Sequence, residues 1–123
     1  MTNENEITIS IDFKKERIRF HKNVLKAMHY PDFFRILVNP ELPGMVIEAC
    51  AASDAGAYSV QKMCRRDKEL NSKSLIQNIA QCMNQRELVT VKLTGSCINH
   101  SNGIFFRMDQ AAISGDHPVQ TVG

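Results

Sequence analysis

The chain has 123 residues, 43% of them hydrophobic and 23% charged, with a formal net charge of +2. That supports one domain with a buried core, and it excludes a disordered chain and a two-domain enzyme with a cleft between its halves. No apolar run approaches the roughly 18 residues that span a bilayer, and Met1 to Glu6 is acidic where a secretory signal is basic, so a cytoplasmic protein with no membrane contact is expected. Four cysteines, Cys50, Cys64, Cys82 and Cys97, contain no Cys-x-x-Cys pair, which favours reduced, mostly buried thiols over a zinc ribbon or a disulfide framework. Cys97 and His100 form one Cys-x-x-His unit that needs Cys64 or Cys82 to approach four ligands. No metal or cofactor is expected.

Ile7, Ile9, Ile11 and Phe13 alternate with Thr8, Ser10, Asp12 and Lys14, the period of a half-buried strand. Ile18 and Phe20 continue the alternation beyond the polar Lys14-Lys15-Glu16, so Glu6 to Phe20 reads as a hairpin or as one strand broken by a bulge. Val24, Leu25 and Met28 give a short helix one apolar stripe, which Pro31 ends. Phe33 to Val38 and Met45 to Cys50 flank the turn residues Asn39 to Gly44 and form a second hairpin. After the small, polar loop Ala51 to Gly56, Tyr58 to Met63 reads as an edge strand.

The order then recurs. Asn71 or Ser72 can cap a helix carrying Leu75, Ile76, Ile79 and Met83. Leu88 to Thr94 alternates, Asn99 to Gly103 turns, and Ile104, Phe106 and Met108 alternate again. Val24-Leu25 matches Leu75-Ile76, Met28 matches Ile79, Phe33 to Val38 matches Leu88 to Leu93, and Met45 to Cys50 matches Gly103 to Met108. The fold class expected is α+β: two pseudo-repeated β-α-β-β(-β) units, about 6–63 and 68–114, with an antiparallel sheet and two helices on one face. One domain over 1–115 is followed by a flexible tail, 116–123.

A β-α-β-β-β unit used twice resembles one domain of a DNA sliding clamp. The resemblance covers nearly the whole chain and is strongest over Leu70 to Ile79, Val89 to Leu93 and Gly103 to Met108. It implies a DNA-clamp-like, non-enzymatic binding or assembly module. A clamp chain carries several such domains and this chain carries one, so a ring would need several copies joined through their sheet edges. Because the clamp's partner groove is built from more than one domain, none of its residues transfers to this sequence. A saddle like that of the TATA-binding protein is similar in outline. Fold analogy is a prior on function only.

The charge is segregated. Residues 13–26 carry +5 through Lys14, Lys15, Arg17, Arg19, Lys22 and Lys26 against Glu16, and residues 62–73 carry +3. Each basic segment enters one of the two helices. Lys22, Lys26, Arg65, Arg66 and Lys73 are therefore the candidate contacts to a DNA or RNA backbone. The competing assignment is a solvated surface, since tryptophan is absent and most phenylalanines fall at core positions.

No phosphate loop, nucleophile elbow or His-Glu-x-x-His occurs. His21, His29, Tyr30 and Asp32 cluster around the first helix and define the one pocket an enzyme could use. A third reading is a protein-interaction module, or a homo-oligomer, that pairs through sheet edges near Ala57 to Met63 and Gln110 to Ser114.

Overall fold

The N-terminal alternation forms β1 (Ile7–Asp12) and β2 (Arg17–Phe20), which pair antiparallel with Ile9 opposite Phe20 and Ile11 opposite Ile18. Their turn is held by Asp12, whose Oδ1 accepts from the amides of Lys14 and Lys15 at 3.0 Å each. A computed structural model describes residues 6–39, 44–63, 68–98, 102–108 and 112–113.

Helix α1 (Lys22–Ala27) has neither a side-chain cap nor an acidic residue in its first turn. Six residues are too few to be stable alone, so packing of the buried Val24 and Met28 holds it in place. It stops before Pro31: His29 (φ 62°) and Tyr30 (φ 53°) are both left-handed, and the Tyr30 amide turns back to the Leu25 carbonyl at 2.8 Å. Strands β3 (Phe33–Asn39) and β4 (Gly44–Ala49) form the second hairpin.

The expected edge strand over Tyr58 to Met63 is shorter than the alternation suggests. Only β5 (Tyr58–Ser59) pairs with β3, after which a 3-10 turn, Val60–Lys62, redirects the chain and drives Met63 into the core. Strand β6 (Glu69–Asn71) leads into α2 (Lys73–Met83). Of the two candidate caps, Ser72 takes the role: its Oγ accepts from the Leu75 amide at 3.3 Å, while Asn71 belongs to β6. Asn84, left-handed at φ 55°, closes α2. The last described strands are β7 (Thr90–Cys97), β8 (Gly103–Arg107) and the two-residue β9 (Ala112–Ile113), and the expected tail 116–123 lies outside the described residues.

The architecture is mixed α+β, an antiparallel sheet curled into a half-barrel with two helices. Strand order is β5-β3-β4-β8-β7-β1-β2-β6, with β9 added to β7. Alternation sends Ile9, Ile11, Ile18, Phe34, Ile47, Leu93, Ile104 and Phe106 to one side, where Val24 and Met28 of the α1 segment and Leu75, Ile76 and Ile79 of α2 join them in a single core. Helix α1 rests on β1 and β2 and α2 on β3 and β2, so the helices close the concave side.

Gly95 sits where the halves of the sheet meet, opposite Ile7 of β1 and Phe106 of β8. A Cβ there would lie 2.6 Å from Ile104 Cγ2 and 2.6 Å from Phe106 Cε2, closer than side chains pack. The hydrogen at this position is what lets the Phe106 ring lie across β7. Gly95→Ala is therefore expected to destabilise the fold by about 1–3 kcal/mol through overpacking, read as a lower urea midpoint at unchanged slope. A midpoint equal to that of the parent protein would show that Phe106 can move aside freely.

Candidate binding cleft

The two ends of the sheet, β5 and β6, line a common cleft of about 470 Å³, a size typical of sites that take a ligand or a peptide side chain. Tyr58, Met63 and Leu70 form its apolar floor, and Phe33, Ser59, Lys62, Glu69 and Asn71 surround the mouth. Tyr58 stacks on the buried Phe34 at 5.5 Å between ring centroids, which fixes that side of the floor to the core.

The backbone at both walls follows from the antiparallel ladder, in which hydrogen-bonded and non-hydrogen-bonded pairs alternate. The Phe20 amide bonds the Lys68 carbonyl and the Ser72 amide bonds the Glu16 carbonyl, so between them Leu70 faces β2. The amides and carbonyls of Glu69 and Asn71 consequently point away from β2. On the opposite wall the Val60 amide bonds the Asp32 carbonyl, which turns Tyr58 toward β3 and leaves Ser59 directed outward. Among the described residues, Glu69 and Asn71 on one wall and Ser59 on the other thus border the cleft with backbone donors and acceptors that have no ladder partner.

The β6 wall is anchored electrostatically. Glu69, only 9% exposed, accepts from Arg17 Nη1 at 3.1 Å through one oxygen and from Arg19 Nη2 at 2.9 Å through the other. Arg17 also approaches Asp12 at 3.9 Å. Two arginines of the basic N-terminal segment therefore serve as a clamp on β6.

Of the candidate nucleic-acid contacts, Lys22 and Lys26 lie exposed on α1 and Lys73 lies exposed at the start of α2, while Arg65 and Arg66 fall outside the described residues. Because β2 and β6 run antiparallel, the two helices start at opposite ends of that ladder: Ser72 beside Glu16, and His21 after Phe20, whose amide meets Lys68. The ladder brings Lys73 to the end that carries the β1–β2 turn, away from Lys22. Within the first-helix cluster, His21 and His29 stand at opposite ends of α1, a helix roughly 9 Å long at 1.5 Å per residue. His21 Nε2 meets Ser10 Oγ at 3.1 Å, and His29 Nδ1 meets Asn102 Oδ1 at 3.0 Å, with His29 donating. Tyr30 and Asp32 are exposed.

Cys50, Cys82 and Cys97 are free thiols; Cys64 and His100 fall outside the described residues. Burial, then the charge of Asp54, pushes the Cys50 thiol up, so it stays protonated at neutral pH. Among the described residues no group of three or more histidine, cysteine or acidic side chains converges as for a metal, and no helix is long and apolar enough to cross a membrane. The cleft itself escapes sequence reasoning, because Glu69-Leu70-Asn71 is too short to show a period; only the edge-strand reading of Tyr58 to Met63 pointed near it.

No family model, no curated protein and no solved structure matches this chain.

Two measurements test the electrostatics. Burial first, then Lys92 and Arg19, holds His21 below its ordinary 6.5. The unfolded chain then binds more protons than the folded one between the lowered value and 6.5, so stability falls as pH drops below 6.5. His21→Gln should flatten that part of the curve in urea titrations between about pH 5 and 7; an unaltered slope would remove His21 as its source. Glu69→Ala removes the carboxylate that Arg17 and Arg19 share and should cost about 1–3 kcal/mol, with faster hydrogen exchange at Leu70.

Proposed function

We propose that this chain is a non-enzymatic binding module that takes an extended segment of a partner protein into the cleft between β5 and β6. The observation that carries the proposal is the pair of sheet ends facing one cleft, each with backbone groups directed into it. Adding a strand to such an edge is a recurrent mode of recognition, in which main-chain hydrogen bonds supply affinity and pockets for alternate side chains supply specificity.

The two-unit plan and the clamp-like resemblance belong to the same reading. Their support is the pattern of ladders. With the boundary between the units moved from residue 63 to before β5, so that β1, β2, α1, β3 and β4 correspond to β5, β6, α2, β7 and β8, β1–β7 has its counterpart in β3–β5, and β3–β4 has its counterpart in β7–β8. β2–β6 and β4–β8 join corresponding strands directly, as a two-fold axis requires. Two ladders lack a counterpart: β7–β9, and β1–β2, whose counterpart would be β5–β6, where the cleft lies. On this reading the half-barrel is a closed barrel short of one ladder. A cytoplasmic setting accords with the unbonded thiols.

The test selects hexapeptides from a displayed library against the whole chain and follows amide exchange. Glu69, Asn71 and Ser59 amides should become protected when a selected peptide binds, and Asn71→Pro, which removes an outward amide without breaking the ladder to β2, should weaken binding at least tenfold. Selected peptides that bind and leave these three amides unprotected would overturn the proposal, as would a second copy occupying the cleft, seen as a dimer in light scattering.

A second reading keeps the exposed Lys22, Lys26 and Lys73 as contacts to a nucleic-acid backbone. It requires binding to single- or double-stranded DNA at about 50 mM salt, with log affinity falling steeply against log salt. No binding under those conditions removes it.

A further inference from the structure

Resting on the strand-accepting cleft proposed above, we infer that its occupant is a short acidic segment that runs antiparallel to β6, with an apolar side chain inward and carboxylates outward. Three features of the cleft specify this. Strand parity comes first. Leu70 lies opposite the buried Ile18 and Tyr58 opposite the buried Phe34, so both belong to the core side of the sheet, whereas Ser59, Glu69 and Asn71 belong to its outer side. An extended segment beside β6 alternates likewise, sending every second side chain onto Tyr58, Met63 and Leu70. Tyr58 and Leu70 are only half-buried, so an apolar side chain there covers surface that the protein leaves open.

Charge comes second. Glu69 would repel a carboxylate if it were free, but both of its oxygens are engaged by Arg17 and Arg19. Lys62 is exposed at the opposite wall, and Lys68 immediately precedes β6. Among the described residues that line the cleft, the charge left unmatched is that of Lys62. An outward-facing carboxylate on the occupant meets Lys62, whereas a basic segment adds like charge.

Length comes third. β6 has three residues and β5 two, so the paired stretch of the occupant is roughly 10 Å, or three residues at about 3.3 Å each. The internal template shows the same alternation: β1 pairs with β2 over four residues, with Ile9 and Ile11 inward and Ser10 and Asp12 outward.

The experiment titrates three synthetic hexapeptides of one alternating apolar pattern into the full chain, with the outward positions all glutamate, all serine or all lysine, and reads affinity by fluorescence anisotropy. The glutamate peptide should bind at least tenfold more tightly than the lysine peptide, and Lys62→Glu should reverse the order. Lys62→Glu alters an exposed side chain, so circular dichroism should report an unchanged fold. Equal affinities, or a preference for lysine, would overturn the acidic occupant while leaving the cleft as a strand acceptor. Failure of all three peptides, together with failure of the displayed library to yield any cleft binder, would overturn the strand-accepting reading itself.

Discussion

The close approach of Phe106 to the backbone of Gly95 is the contact on which the rest of this sheet depends. β7 is shared: its first six residues pair with β1, and its last three pair with β8. Gly95 belongs to both ladders, so any side chain there would push β8 away from β7. Beyond β8 come β4, β3 and β5 in order, and beyond β1 come β2 and β6. A curled sheet has less room on its concave side than a flat one, and a glycine beneath an aromatic ring is one way to fill that side without splitting the strands. Because the halves meet at this position, the placement of β5 relative to β6, and so the width of the cleft, is inherited from it.

The outer surface divides along the same line. On β7, β1, β2 and β6 the outward residues form rows such as Lys92, Ser10, Arg19 and Glu69, and Thr90, Asp12, Arg17 and Asn71. Charges there are matched within the face: Arg17 and Arg19 with Glu69, and Lys92 with Glu6. On β3, β4 and β8 one row is apolar, Leu37, Val46 and Phe105, beside the 2.6 Å pair of Arg35 with Glu48. Three residues expose too little area to hold a stable partner by themselves, given the roughly 800 Å² per side of ordinary interfaces. The basic N-terminal segment is likewise spent in part on holding the fold.

Much of the fold was legible because local pattern and tertiary role agree. Alternation of isoleucines placed β1, and turn residues between two β-rich runs placed the β3–β4 hairpin. Spacing of Leu75, Ile76, Ile79 and Met83 placed α2, and the first three are buried while Met83 at the helix end is only half-buried. Legibility failed where the decisive partner is distant. Nothing local makes Glu69 to Asn71 a strand; pairing with Arg17 to Arg19, about fifty residues earlier, does so. Nothing local halts β5 after Ser59 either, since the 3-10 turn there follows from the need to bury Met63. The cleft could not be foreseen because it consists of an absent ladder, and residue type records pairing that occurs more readily than pairing that does not. The charge pattern marks basic segments along the chain but not their relation in space, since the antiparallel β2–β6 ladder starts their helices at opposite ends.

The position of β1 also sets a timetable for the chain. Ile7 pairs with Gly95 and Asp12 with Thr90, so β1 cannot complete its second ladder until the chain as far as residue 95 has been made. Until then the β1–β2 hairpin carries an apolar face and an open edge, while β3 and β4 can already pair locally. Pairings of such long separation make folding slow relative to local hairpins and helices. Helix α1 can cover the apolar face of the hairpin early, but the outer edge of β1 stays open until β7 is made, and that edge is where association with other chains would compete with folding.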